Sequence, residues 1–185
     1  MIRAFIALNI PVFVKEKLFE ISNSISQVND FKWESRNKLH LTLKFIGDVE
    51  ESSASVIANE LSFLESHHSL KCVLNGFDFF YRDKKPVILY ADLKVSNSTF
   101  TIVDEIETRL EKYSIKKETR IFNPHLTMLR IKNDIDINFV HKFKNFTFEP
   151  IVFVCNSVTL FKSELHKSGS KYFEIKNYKL KELEK

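Results

Sequence analysis

Two stretches of matching pattern constrain this chain more than any other feature. The first is Leu39-His40-Leu41-Thr42-Leu43-Lys44-Phe45-Ile46, and the second is Pro124-His125-Leu126-Thr127-Met128-Leu129. In both, apolar and polar residues alternate with the period of two that marks a half-buried β-strand. Strict alternation puts Leu39, Leu41, Leu43 and Phe45 on a buried face and His40, Thr42 and Lys44 on the opposite one. It likewise separates Leu126 and Met128 from His125 and Thr127. Each strand therefore offers a histidine and a threonine on one face, roughly 7 Å apart along the strand. With six His and eight Thr in 185 residues, chance placement gives roughly 0.26 His-x-Thr pairs. Here there are two, with the same middle residue, 85 residues apart.

The spacing of apolar residues fills in the rest. A strand over 2–9 is followed by a helix from Pro11 to about residue 28, with proline suited to the first turn. A short strand around Trp33 precedes the first histidine strand, which Gly47-Asp48 ends. A helix from Val49 to Leu64 has Val56, Ile57, Leu61 and Leu64 inward. Strands over 70–80 and 86–93 flank a charged turn, Tyr81 to Pro86. A helix over 98–113, with Phe100, Val103, Ile106 and Leu110 at helical spacing, leads to the second histidine strand, Arg120 to Ile131. A helix over 136–144, one long strand from Ile151 to Phe161, a strand over 171–180 and a frayed tail from Lys179 to Lys185 complete the chain. The second half restates the order of the first. The expected fold is α+β, with two similar lobes, each a mostly antiparallel sheet with helices outside, around a central cleft. No Pro/Gly-rich linker divides residues 1–185, so they are read as one domain.

Composition narrows the function. A net charge of +4 suits an anionic ligand but falls short of a duplex-binding surface. Cys72 and Cys155 stand alone among apolar neighbours, and read as buried free thiols in a reducing cytoplasm. The apolar start is short and ends at Pro11, and no run reaches the ~20 apolar residues of a membrane helix. Two histidines across a cleft can act as base and acid near neutrality, and two threonine hydroxyls can hold phosphoryl oxygens. This set suits hydrolysis of a strained phosphodiester with no metal and no covalent intermediate. A zinc site built from His40, His125 and His67 or His68 lacks any His-x-His, His-Glu-x-x-His or cysteine cluster. His67-His68 read as surface residues at a helix end, and His141 and His166 have no partner motif. Neither a Gly-x-Ser-x-Gly elbow nor a phosphate-cradling glycine loop is present.

The residues that carry these features also resemble a known family, the 2H phosphoesterases, and within it the RNA 2′,3′-cyclic phosphodiesterases, also called 2′-5′ RNA ligases. The matching segments are Arg3 to Leu8, Trp33, His40 to Val49, Arg120 to Arg130, Leu160 to Leu165, and Tyr172, spread over nearly the whole chain. The resemblance implies a two-lobed fold, an RNA with a 2′,3′-cyclic phosphate terminus as partner, and a 2′-phosphomonoester product. It implies that His40 donates a proton to the leaving 3′-oxygen and that His125 accepts one from water. It suggests no cofactor, metal or obligate protein partner. Asn123 departs from the family, whose members often carry arginine there. Strict alternation turns Arg130 away from His125, which argues against a catalytic role. Arg3 and Phe5 share a face; if that face meets the cleft, Phe5 can stack on a base, the other reading being core packing. End joining through a 2′-5′ linkage and a non-catalytic RNA-end binding module are the alternatives to hydrolysis.

Overall fold

The computed structural model describes residues 1–26, 31–167 and 169–183. Among them are eight strands in two four-stranded sheets, antiparallel throughout. The strands are β1 (Ile2–Asn9), β2 (His40–Val49), β3 (Leu70–Arg82), β4 (Lys85–Val95), β5 (His125–Arg130), β6 (Ile151–Cys155), β7 (Ser157–His166) and β8 (Gly169–Lys179). Four helices accompany them: α1 (Val12–Ile25), α2 (Glu51–Glu60), α3 (Asn97–Leu110) and α4 (Ile137–Lys144). One sheet has the order β2-β1-β7-β8 and the other β5-β4-β3-β6. The two-lobed α+β expectation is met, with each histidine strand at the edge of its sheet and the two edges lying against each other.

The lobes are not the two halves of the chain. One sheet combines β1 and β2 from the start with β7 and β8 from the end, and the middle of the chain makes the other. The crossing point is Asn156, between β6 and β7. Residues 151–161, expected as one strand, are thus two strands in different sheets. One continuous set of buried side chains, from Ala4, Ile6 and Leu8 of β1 to Tyr178 of β8, runs through both lobes.

Other boundaries move for local reasons. The β3–β4 hairpin turns at Asp83 and Lys84, both with positive φ (49° and 63°), the conformation that matches strand twist in a two-residue turn. The helix expected to Leu64 tightens into a 3-10 turn over Leu61–Ser66, and Val56 points outward. Phe100 of α3 is likewise exposed. Trp33 makes only an isolated bridge to Leu129, and residues 120–124 precede the strand they were expected to join. Of the expected helix end, residues 27 and 28 lie outside the described residues. The tail is docked rather than frayed at its start, since Leu180 and Lys181 donate backbone hydrogen bonds to the Asn156 and His67 carbonyls; Glu184 and Lys185 lie outside the described residues. No helix among the described residues is long and apolar enough to cross a membrane.

The largest departure from strict alternation lies in the histidine strands. Against β1, Thr42 pairs with Ala7 and Lys44 with Ile6, so Leu43 is an extra residue in a β-bulge. The bulge reverses the faces beyond it. Lys44, expected beside His40, is buried in the core, and Phe45, expected in the core, is 66% exposed. Gly47, with φ of +87°, follows a second bulge at Ile46, so β2 continues to Val49 instead of stopping. β5 repeats the device: Tyr90 pairs with Thr127 and Leu89 with Leu129, leaving Met128 as the extra residue. Met128 and Leu129 are both buried, and Arg130 is turned to the face of His125 and Thr127.

Buried Lys44 is neutralised by Glu107 of α3, at 2.5 Å, and also donates to the Lys116 carbonyl at 2.6 Å. Glu107 accepts in addition from the Glu118 backbone N–H. Breaking such a pair strands a buried charge, whereas replacing both ends with apolar groups does not. Glu107→Ala is therefore expected to lower stability by about 3–5 kcal/mol, and Lys44→Met/Glu107→Met to recover most of it, as measured by urea unfolding.

Candidate active site

His40 and His125 open their strands and are held in the same way. His40 Nδ1–H donates to the Lys38 carbonyl at 2.6 Å, and His125 Nδ1–H to the Asn123 carbonyl at 2.8 Å. A carbonyl only accepts, so Nδ1 carries the proton in both rings and Nε2 is the atom left for chemistry. Because the Asn123 contact to His125 is through the backbone, the departure from arginine does not disturb it. The Asn123 side chain lies instead by the Tyr90 hydroxyl.

Aromatic rings pack around each imidazole. Phe5 lies 4.9 Å from the His40 ring and Tyr172 stands edge-on to it at 5.4 Å. Phe80 and Tyr90 contact the His125 ring edgewise at 4.8 and 5.4 Å. Phe5 is 3% exposed, between His40, Phe161, Tyr172 and Phe45. Its surface is already covered, so of the two readings it takes packing: it backs His40 and is not a platform for a base. Arg3 is not brought to the site. It pairs with Asp48 at the far end of β1, its Nε 3.2 Å from Oδ1, while His40 pairs with Asn9, about 20 Å along the strand.

Thr42 and Thr127 follow on the same faces as the histidines. Both are partly exposed, and among the described residues neither hydroxyl is engaged by a protein partner. Arg130 stands on the His125 face, its Nε 3.4 Å from Glu34 Oε1, and its charge acts on both histidines. Strict alternation missed it because a bulge has no fixed residue signature. Lys15, from the first turn of α1, is a second cation that sequence reading passed over, and it too acts on His40. The remaining histidines are elsewhere: His67 on Glu105, His68 on the Glu182 carbonyl, His166 beside Glu164, and His141 in α4. Cys72 and Cys155 are buried free thiols on neighbouring strands. Among the described residues no three His, Cys, Asp or Glu side chains come together.

Burial pushes the His40 imidazole down to about 4; the charges of Lys15, Arg130 and His125 add to this, and the hydrogen bond to the Lys38 carbonyl opposes it. Burial also lowers His125, with Arg130 adding and the Asn123 carbonyl opposing. Both rings are thus held against protonation. The site can receive a negatively charged group between two imidazoles, two hydroxyls and a guanidinium, and move protons at its two ends.

Comparison with known proteins places the chain in the phosphoesterase class. The profile of the family described as LigT like phosphoesterase matches residues 8–90 and 94–172. The chain belongs to this family and is an enzyme. Curated relatives include the RNA 2′,3′-cyclic phosphodiesterase of Thermotoga maritima, 26% identical over 172 residues, covering 92% of this chain and 91% of that protein. The RNA 2′,3′-cyclic phosphodiesterase of Methanocaldococcus jannaschii is 28% identical over 181 residues, covering 95% and 99%. Among solved structures, Escherichia coli LigT complexed with 3′-AMP matches with a TM-score of 0.77 at 16% identity, over 97% of this chain and 98% of that one. A Thermus thermophilus protein matches with 0.75 at 21%, over the same shares.

Lowered histidine pKa values make stability depend on pH. The unfolded chain takes up a proton at His40 near pH 6.5, but the folded one only near 4. Stability is therefore full above 6.5 and is lost as pH falls through that window, by about 3 kcal/mol at most from this residue. Urea midpoints at pH 7 and 4.5 are expected to differ more for the wild type than for His40→Gln.

Proposed function

We propose that this protein hydrolyses RNA 2′,3′-cyclic phosphate ends to 2′-phosphomonoesters by acid–base catalysis between His40 and His125. The observation that carries the reading is the matched presentation of the two imidazoles: each Nδ1 is tied to the carbonyl two residues back, and among the described residues neither Nε2, nor the hydroxyl of the threonine on the same strand face, has a protein partner. The names of the curated relatives point to the same substrate.

In this mechanism His125 Nε2 takes a proton from water as its oxygen attacks phosphorus. The bond from phosphorus to the 3′-oxygen breaks in line, and His40 Nε2–H protonates that oxygen. Thr42 and Thr127 donate to the non-bridging oxygens, and Arg130 offsets the charge that accumulates there. Solvent then returns His40 to its protonated form and takes the proton from His125. No step uses a metal, so activity is expected to persist in EDTA.

The low pKa of free His40 gives the anion a second role. A bound phosphodiester opposes the push from Lys15, Arg130 and His125, and so brings His40 its proton. The kcat/KM profile reports the free enzyme and is expected to peak below pH 6.5; the alkaline limb of kcat, which reports the complex, is expected at higher pH. Coincident profiles centred above pH 7 would remove this account. Arg130→Ala is expected to lower kcat/KM by roughly 10²-fold and to move the acid limb upward, because a charge that opposes imidazole protonation is gone.

The first test is turnover of a short RNA ending in a 2′,3′-cyclic phosphate, with EDTA present. A 2′-phosphate product is expected from the wild type, with losses of roughly 10²–10⁴-fold in folded His40→Ala and His125→Ala. Tight binding without turnover would instead make the protein an RNA-end binding module.

A further inference from the structure

A groove opens beside His40. Ser35, Asn37, Lys38, Lys171, Tyr172 and Phe173 line a cavity of about 250 Å3. Two of its lining residues also contact His40. The Lys38 carbonyl holds His40, and the Tyr172 ring touches it. Lys38 Nζ also approaches the β7–β8 hairpin, 3.6 Å from where a Cβ on Gly169 would stand. Among the described residues neither Lys38 nor Lys171 forms an ion pair with a carboxylate, and Phe173 is 46% exposed. Two cations, an amide, a hydroxyl and an exposed ring are the parts that bind single-stranded nucleic acid: charges follow the backbone and the ring stacks a base.

The proposed chemistry decides which nucleotide this would be, and the inference rests on it. His40 protonates the leaving 3′-oxygen, so the ribose lies on the His40 side and the attacking water on the His125 side. The same ribose carries the 5′-oxygen, the only point from which an RNA chain continues once its 3′-end is a cyclic phosphate. The chain must leave on the His40 side, where the groove is. We propose that this groove binds the nucleotide preceding the cyclic phosphate, with its phosphodiester against Lys38 and Lys171 and its base on Phe173. The enzyme is then built for an RNA chain and handles a mononucleotide poorly.

The test compares kcat/KM for a 2′,3′-cyclic mononucleotide and for a trinucleotide ending in the same cyclic phosphate. The wild type is expected to prefer the trinucleotide by roughly tenfold or more, and Lys171→Ala and Phe173→Ala to bring that ratio towards one. Lys171→Ala is also expected to flatten the dependence of log kcat/KM on log salt for the trinucleotide by about 0.7. The ratio is read within each variant, so a general loss of activity does not imitate the effect. A wild-type ratio near one with good mononucleotide turnover removes the groove and leaves the reaction standing. A large ratio kept in both variants also overturns the groove. Absence of turnover with either substrate removes the reaction and the groove with it.

Discussion

The site depends on one extra residue in each edge strand. Side chains alternate along a strand, so inserting a residue reverses the face of everything after it. Leu43 and Met128 do this immediately after the two threonines. Before the bulges, His40, Thr42, His125 and Thr127 face the cleft. After them, one position in each strand is given to the core, Lys44 in one lobe and Leu129 in the other. The next position returns to the open face and holds Phe45 or Arg130. Without the bulges Arg130 would enter the apolar core, and the cleft would lose a cation that acts on both histidines.

The two lobes repeat a backbone but not an electrostatic environment. At the core position Leu129 needs no partner, whereas Lys44 needs Glu107 and the Lys116 carbonyl, and these tie β2 to α3 and the chain that follows it. At the open position one lobe presents an aromatic ring and the other a guanidinium. Behind the rings, His40 is packed by Phe5 and Tyr172 and lies within reach of Lys15, while Phe80 and Tyr90 pack His125, on which Arg130 is the cation that acts. Equivalent backbones thus hold two imidazoles whose protonation is opposed by different neighbours.

What could be read from the sequence divides along the same line. The histidine and threonine faces were legible because alternation holds from His40 to Thr42 and from His125 to Thr127. Arg130, Lys44 and Phe45 were misplaced because they follow bulges, which depend on the strand opposite and leave no local mark. The lobes were legible as a repeat, but their membership was not: Ile151 to Phe161 is one apolar stretch, and only its pairing with β3 on one side of Asn156 and with β1 on the other divides it. Phe5 shows the limit of face assignment. It does share the cleft face with His40, as alternation allows, yet four neighbouring rings bury it, and those rings come from distant parts of the chain, Phe161 and Tyr172 among them.

In the proposed mechanism the depressed pKa of His40 is part of the cycle rather than a defect. An acid at neutral pH needs a proton at the moment of transfer, and burial among Phe5, Tyr172 and Phe161 works against one. The same burial keeps water from competing for the proton once it is there, and it strengthens the interaction of the imidazolium with any anion that enters. Lys15, Arg130 and His125 add to burial in opposing a charge on His40, and in the proposed mechanism a bound phosphodiester offsets them. In that mechanism protonation of His40 is coupled to arrival of the group on which it would act, and a neutral ligand of similar shape is expected to find His40 without its proton.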